Sequence, residues 1–147
     1  MAISMSDETR RVVPPAERVL EHLPDALVYT DVGGAIQAWN GAAEQLFGFS
    51  RDEAVGQSLD LIIPEELRAA HWRGFDAAVS SGRVRLGGRP TLTRAVHKSG
   101  GRSYVEMSFA LVFDDARRVV GTVAIARDVT DKVEREKAQA LARKAAT

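Results

Sequence analysis

The sequence predicts an α+β fold in which helices cover one face of a five-stranded antiparallel sheet. Short strand-like apolar runs form a group of two before the longest predicted helix and a group of three after it. Tight turns join the strands within each group, and such short connections make neighbouring strands antiparallel. The two groups are expected to share one sheet, because each would otherwise expose an apolar face to water.

The composition fits a single domain and narrows the range of partners. The chain has 147 residues, of which 45% are hydrophobic and 27% are charged, as in ordinary globular domains. Twenty basic residues balance twenty acidic ones, so we expect neither nucleic acid nor a membrane surface as a direct partner. The N-terminus does not resemble a signal peptide, and no apolar stretch reaches the about 20 residues of a membrane span. We therefore expect a cytoplasmic protein.

The absence of cysteine excludes several chemistries. Disulfides, thiolate nucleophiles and cysteine-ligated metal centres all require this residue. The acidic residues have no spacing that suggests acid–base catalysis, and there is no phosphate-binding loop or nucleophile elbow. The sequence therefore does not support an enzyme.

Four segments follow one another along the chain. They are a disordered polar tail (1–14), an amphipathic N-terminal helix (15–24), a folded domain (25–130) and a charged connector helix (131–147).

The first half of the folded domain begins with a hairpin. Residues 26–31 and 35–39 are strand-like runs on either side of a glycine turn. Asn40 is placed to cap the following short helix, and Ser50 with Glu53 forms a capping box for the next one.

The longest helix of this domain begins at Pro64 and ends near Gly82. Helical spacing gives it one apolar face, consisting of Leu67, Ala70, His71, Gly74, Phe75, Ala78 and Val79.

Three strands complete the predicted sheet, within 89–98, 102–113 and 119–127. Alternation in the middle strand predicts one apolar face, made by Val105, Met107, Phe109, Leu111 and Phe113.

Several blocks of the sequence resemble the PAS sensor family. They are LPDALVYTD (23–31), WNGAAEQLFGFS (39–50), EAVG (53–56), HKSG (97–100) and GTVAIARDVT (121–130). The blocks occur in the same order as in the family, and the resemblance covers roughly residues 17–133. The resemblance implies the five-stranded sheet reached above, and an ion pair between Glu53 and Lys98. It also implies a domain that senses small molecules, binds haem or flavin, or only dimerises, and that signals to a kinase, cyclase or transcription regulator.

A narrower resemblance concerns the cofactor. The segment IPEELRAAHWRGF (63–75) is similar to the haem-binding helix of oxygen-sensing histidine kinases and carbon-monoxide-responsive PAS regulators. This resemblance implies that His71 is the axial ligand of a b-type haem. Arg89 resembles the arginine on the next strand that responds to haem-bound gas, and Met107 is a candidate second axial ligand.

The chemistry of His71 allows two interpretations. A neutral imidazole on an apolar helix face is what haem ligation requires, and a core histidine bonded to a backbone carbonyl is the alternative. For haem, the apolar surroundings would come from residues on the helix and the sheet: Leu67, Phe75, Val79, Val105, Met107, Phe109 and Ile125.

Two further functions therefore remain open beside a haem sensor of oxygen, carbon monoxide or redox state. One is a cofactor-free module for protein–protein interaction, and the other is a flavin-binding redox sensor. We also expect a homodimer formed through the apolar stripe of the N-terminal helix, which consists of Ala16, Val19, Leu20 and Leu23. The output partner would be a signalling kinase or transcription regulator, in cis or in trans.

Overall fold

A computed structural model describes residues 15–85 and 87–147. The helices are α1 (Ala16–Glu21), α2 (Gly41–Phe47), α3 (Arg51–Ala54), a 3₁₀ turn (Leu59–Ile62), α4 (Glu65–Ser81) and α5 (Thr130–Ala146). The strands are β1 (Ala26–Asp31), β2 (Ile36–Trp39), β3 (Thr91–Val96), β4 (Arg102–Phe113) and β5 (Val119–Asp128). The tail expected to be disordered, 1–14, lies outside the described residues.

The five strands form one antiparallel sheet in the order β2-β1-β5-β4-β3. This confirms the predicted fold, including the pairing of the N-terminal hairpin with the three later strands. The junction is β1 against β5, where Leu27 lies opposite Ile125 and Thr30 lies opposite Thr122. The first and last strands of the sequence are therefore neighbours in the middle of the sheet.

The hydrophobic core lies between one face of this sheet, which we call the inner face, and helices α2, α3 and α4 with the 3₁₀ turn. Its larger buried members are Val28, Ile36, Trp39, Phe47, Leu59, Ile62, Phe75 and Val105. The Trp39 ring packs on Phe47 with 5.2 Å between ring centroids. Burial of these side chains is the main favourable contribution to the fold.

Asn40 is buried and makes four hydrogen bonds where β2 passes into α2. Its Oδ1 accepts from the backbone N–H groups of Ala43, as predicted for a helix cap, and of Leu27 on β1. Its Nδ2 donates to the backbone carbonyls of Leu20 and Asp25. One side chain thus joins the end of α1, the start of β1 and the start of α2.

The capping box and the ion pair expected on the surface are both present. Ser50 and Glu53 satisfy each other's backbone donors at the start of α3. Lys98 Nζ lies 2.5 Å from Glu53 Oε2, which confirms the predicted pair. Because both side chains are half exposed, water and salt screen the pair and it contributes little to stability.

Two expectations about exposed segments need revision. Phe113 is 48% exposed and does not share the half-buried face of Met107 and Phe109, because the β4–β5 register shifts between Val112 and Phe113. Helix α1 is shorter than the segment 15–24, ending at Glu21, and it contains no buried residue. Within the described ranges, no helix has the length and apolar content to cross a bilayer.

We expect replacement of Asn40 by alanine to lower the free energy of unfolding by about 2–4 kcal/mol, because two buried N–H groups and two carbonyls lose their partner. Urea denaturation would measure this loss. Gln37→Ala is the matched control, since the exposed Gln37 amide makes only long hydrogen bonds at 3.4 Å. The interpretation of Asn40 would be wrong if both variants lost less than about 0.5 kcal/mol.

Candidate functional site

A cavity of about 370 Å³ lies between α4 and the inner face of the sheet. This size is within the range of small-molecule sites, which is about 300–1,000 Å³. The walls come from the 3₁₀ turn, from the first half of α4 and from the strands. The side chains on which the site depends are Thr30, Leu67, His71, Met107, Phe109 and Thr122.

A second cavity of about 400 Å³ adjoins the first, toward the end of α4 and the connection to β3. The two cavities share five lining residues, which are Ala70, His71, Thr91, Met107 and Phe109. His71 therefore lies at the junction of the cavities. Arg85 and Arg89 line only the second cavity and give its rim a positive charge.

The His71 imidazole is enclosed by aromatic rings of its own helix. Its ring centroid lies 4.7 Å from that of Trp72, edge to face, and 5.9 Å from that of Phe75. Nδ1 is buried and has no hydrogen-bond partner. In the alternative interpretation a ring nitrogen bonds to a backbone carbonyl, and Nδ1 makes no such bond.

Burial lowers the pKa of His71 below its ordinary value of 6.5. The carboxylates of Asp60 and Asp76 act in the opposite direction but do not outweigh the loss of hydration. The ring is consequently neutral near pH 7, with a lone pair available to a metal or a hydrogen-bond donor.

Helix α4 is held in place by contacts at its first two turns. The Trp72 indole N–H donates to Asp60 Oδ1 at 2.8 Å, which joins the helix to the 3₁₀ turn. Glu66 forms an ion pair with Arg102 at the start of β4. Trp72 directly follows His71, and its ring packs edge to face on the imidazole, so the Trp72–Asp60 hydrogen bond also fixes one neighbour of the imidazole.

Most of the predicted site residues line one or both cavities. Leu67 lines the first cavity, Phe75 lines the second, and His71, Met107 and Phe109 line both. The Phe75 and Phe109 rings lie 6.4 Å apart between centroids.

Ile125 does not belong to the site, contrary to the sequence analysis. It is 40% exposed and lies opposite Ser108 in the β4–β5 register. Ser108 lies between Met107 and Phe109 and so faces the other side of the sheet. The inner positions of β5 are instead Thr122, Ala124 and Ala126, which line the first cavity.

Arg89 also differs from its expected placement. The expectation put this arginine on the strand after the helix, but β3 begins at Thr91. Arg89 lies in the preceding connection, is exposed, and lines only the second cavity. Thr91 is the first residue of the strand, pairs with Met107 and lines both cavities.

The sequence analysis missed the threonines of the first cavity, which are Thr30, Thr91, Thr93 and Thr122. Thr30 and Thr122 are buried and lie opposite each other at the centre of the sheet. The sequence signal that could have revealed them is a polar residue at an inward-facing position of an otherwise apolar strand. Threonine is also a favoured strand residue. The pattern therefore did not distinguish an ordinary strand threonine from one that lines a cavity.

The lowered pKa of His71 makes stability depend on pH. Below about pH 6.5 the unfolded chain takes up a proton that the folded chain does not, so the free energy of unfolding decreases as the pH falls. We expect His71→Phe, which keeps an aromatic ring but does not titrate, to lose less stability between about pH 7.5 and 5.5 than the unmodified chain. Urea denaturation at several pH values would measure the difference.

His22→Gln is the control for this measurement, because His22 is exposed and its variant should follow the unmodified chain. Parallel pH profiles for the unmodified chain and His71→Phe would contradict the buried, neutral state of His71.

Comparison with known proteins identifies the fold. The family described as "PAS fold" matches residues 20–134. A PAS domain of Colwellia psychrerythraea has a TM-score of 0.69 and 26% sequence identity, over 78% of this chain and 93% of that one. An RNA-binding light-oxygen-voltage receptor has the same TM-score at 23% identity, over 93% of this chain and 40% of that one; this likeness concerns the fold.

Two curated proteins match parts of the chain. The sensor protein FixL of Bradyrhizobium diazoefficiens is 43% identical over 53 residues, which are 36% of this chain and 10% of that protein. The oxygen sensor protein DosP of Escherichia coli is 30% identical over 95 residues, which are 65% of this chain and 12% of that protein. The chain thus spans about a tenth of each relative. With a family match over most of its length and the strand order described above, the chain belongs to the PAS family.

Proposed function

We propose that this PAS domain is a haem-based sensor of oxygen, carbon monoxide or redox state, with His71 as the axial ligand of a b-type haem. The observation that carries the proposal is a neutral imidazole at the junction of two cavities, with a buried Nδ1 that has no protein partner. A histidine with this environment has no structural hydrogen bond to lose on binding iron.

The donor set favours haem over a bare metal ion. A single imidazole supplies one ligand, whereas a bare transition metal held by protein needs several. Within residues 15–85 and 87–147, no three His, Asp or Glu side chains group around a common point. Haem brings four equatorial nitrogens of its own, so one histidine suffices to hold the iron.

The walls of the cavities are also suited to haem. They are mainly apolar around His71, with Leu67, Phe75 and Phe109 contributing large side chains. Arg85 and Arg89 could pair with the two carboxylates of the macrocycle. Met107 lines both cavities and is the candidate for a second axial ligand.

Haem would supply an iron centre that binds diatomic gases or changes its oxidation state. The chain's own contribution would be to orient the His71 ring through Trp72 and α4, and to keep water out with the apolar wall. The match to a protein named as an oxygen sensor supports this choice of signal. A kinase or transcription regulator, in cis or in trans, is the proposed output partner.

A cofactor-free interaction module is the second candidate, and helix α1 favours it. Val19 is 48% exposed and Leu20 is 39% exposed on this helix. Apolar side chains on so short a helix are stabilised when a partner surface covers them. This candidate and the haem sensor both allow a homodimer.

The visible absorbance of the purified chain, titrated with hemin, tests the haem proposal. We expect a Soret band at one haem per chain for the unmodified protein. His71→Ala should lose stoichiometric haem binding, because the protein's main bond to the iron is removed. His22→Ala is the control and should bind as the unmodified chain does.

Equal haem uptake by the unmodified chain and His71→Ala would exclude His71 as the ligand. A protein that binds no haem at all would contradict the haem proposal. A flavin spectrum in its place would assign flavin, and a colourless protein that forms dimers would support the interaction module.

The dimer expected through α1 can be tested with two substitutions. Val19→Glu combined with Leu20→Glu should shift a dimer toward monomer, because it places charges in the apolar stripe. Light scattering across micromolar concentrations would measure the mass. Leu141→Glu on α5 is the control, since Leu141 is 69% exposed; loss of the dimer only in this variant would assign the interface to α5 instead.

A further inference from the structure

The wall of the first cavity contains a buried pair of hydroxyl groups. Thr30 on β1 and Thr122 on β5 are 1% and 2% exposed, and their Oγ1 atoms lie 2.7 Å apart. Both residues line the cavity, next to Val28 and Ala124 on the same two strands. A polar pair in an apolar wall is costly unless its hydrogen bonds are satisfied.

The direction of these hydrogen bonds follows from counting protons. The Thr30 hydroxyl donates to the backbone carbonyl of Asp31 at 2.9 Å. A threonine hydroxyl has one proton and two acceptor lone pairs. Since the Thr30 proton is used on Asp31, the proton between the two threonines is donated by Thr122 to Thr30.

Both protons of the pair are therefore engaged within the protein. What remains on Thr122 Oγ1 is acceptor capacity, for which the described residues provide no donor. An acceptor in an apolar cavity lowers its free energy when a bound molecule supplies an N–H or O–H group.

We propose that Thr122 is a specificity-determining residue of the cavity, which accepts a hydrogen bond from a bound molecule that has an apolar body and an N–H or O–H donor. The inference rests on the proposed function only in requiring that the cavity binds a small molecule. It concerns the chain while the cavity holds no haem, because the pyrrole nitrogens of haem bind the iron and have no proton to donate to Thr122.

The two other threonines of the cavity differ in this respect. Thr91 and Thr93 lie on the edge strand β3 and are half-buried, and their hydroxyls make no hydrogen bond with other described residues. A hydroxyl without a fixed partner can rotate to donate or to accept. These residues do not select between donors and acceptors, which makes Thr93 a suitable control position.

Three probes of nearly the same shape separate the possibilities. Indole has an N–H donor, benzofuran has an ether oxygen that only accepts, and indene has neither. Calorimetric titration of each into the full chain, shown to be free of chromophore by its absorbance, gives three dissociation constants. The variants are Thr122→Val, which keeps the shape, Thr122→Ser, which keeps the hydroxyl, and Thr93→Val.

We expect indole to bind about five- to tenfold more tightly than indene, and benzofuran to bind no more tightly than indene. Thr122→Val should bring indole and indene within about twofold of each other, whereas Thr122→Ser and Thr93→Val should keep the preference. Circular dichroism of each variant would verify the fold.

Equal binding of indole and indene, a preference for benzofuran, or no binding of any probe to the unmodified chain would overturn the proposal. Loss of the preference in Thr93→Val but not in Thr122→Val would also overturn it. If Thr122→Val does not fold, the order of the three probes in the unmodified chain and in Thr122→Ser still decides. The haem titration is a separate readout, so failure of one proposal does not imply failure of the other.

Discussion

The arrangement of the N-terminal half depends on the four hydrogen bonds of the buried Asn40 amide. The amide connects Leu20 at the end of α1, Leu27 and Asp25 at the start of β1, and Ala43 in α2. These groups belong to chain segments that would otherwise bury unpaired backbone donors and acceptors, each costing about 1–3 kcal/mol. A hydrophobic side chain at this position would fill the same space without satisfying any of them.

The position of α2 has consequences for the cavity. Phe47 near the end of α2 lines it and also packs on Trp39 of β2. On the opposite wall, β5 presents Thr122, Ala124 and Ala126 to the inside. These side chains are too small to reach α4, so the space beside His71 is not filled by the protein. The cavity is thus a consequence of small residues on the central strand, whereas its outer limits are set by large ones on α2, α4 and β4.

Much of the fold could be predicted because its signals are local. The hairpin turn, the Asn40 cap, the capping box and the helical face of His71 each depend on residues close in sequence. The assignment of Ile125 failed because it requires the register between β4 and β5, and alternation within one strand does not determine which face of its neighbour is buried. Ser108, not Met107, lies opposite Ile125.

Long-range hydrogen bonds account for the other features that the sequence did not reveal. The cap predicted for Asn40 is one of its four bonds, and the other three involve residues at least 13 positions away. The Thr30–Thr122 pair joins residues 92 positions apart. The place of Arg89 depended on where β3 begins, and strand boundaries are weakly encoded in a glycine-rich connection.

The sheet also provides a physical connection between the cavity and the C-terminal helix. Val105 is buried and lines the cavity, and its neighbour Tyr104 faces the other side of the sheet. The Tyr104 N–H donates to Thr130 Oγ1, and its carbonyl accepts from Val129 N–H, so both backbone polar groups of Tyr104 hold the start of α5.

Lys137, two turns into α5, donates to the Tyr104 hydroxyl and lies 4.6 Å from its ring centroid. The exposed Lys137 contact contributes little to stability by itself. The two backbone hydrogen bonds are made by Tyr104, which directly precedes Val105 on β4. Because Val105 and Tyr104 are adjacent on β4, the wall of the cavity and the start of α5 share one segment of backbone.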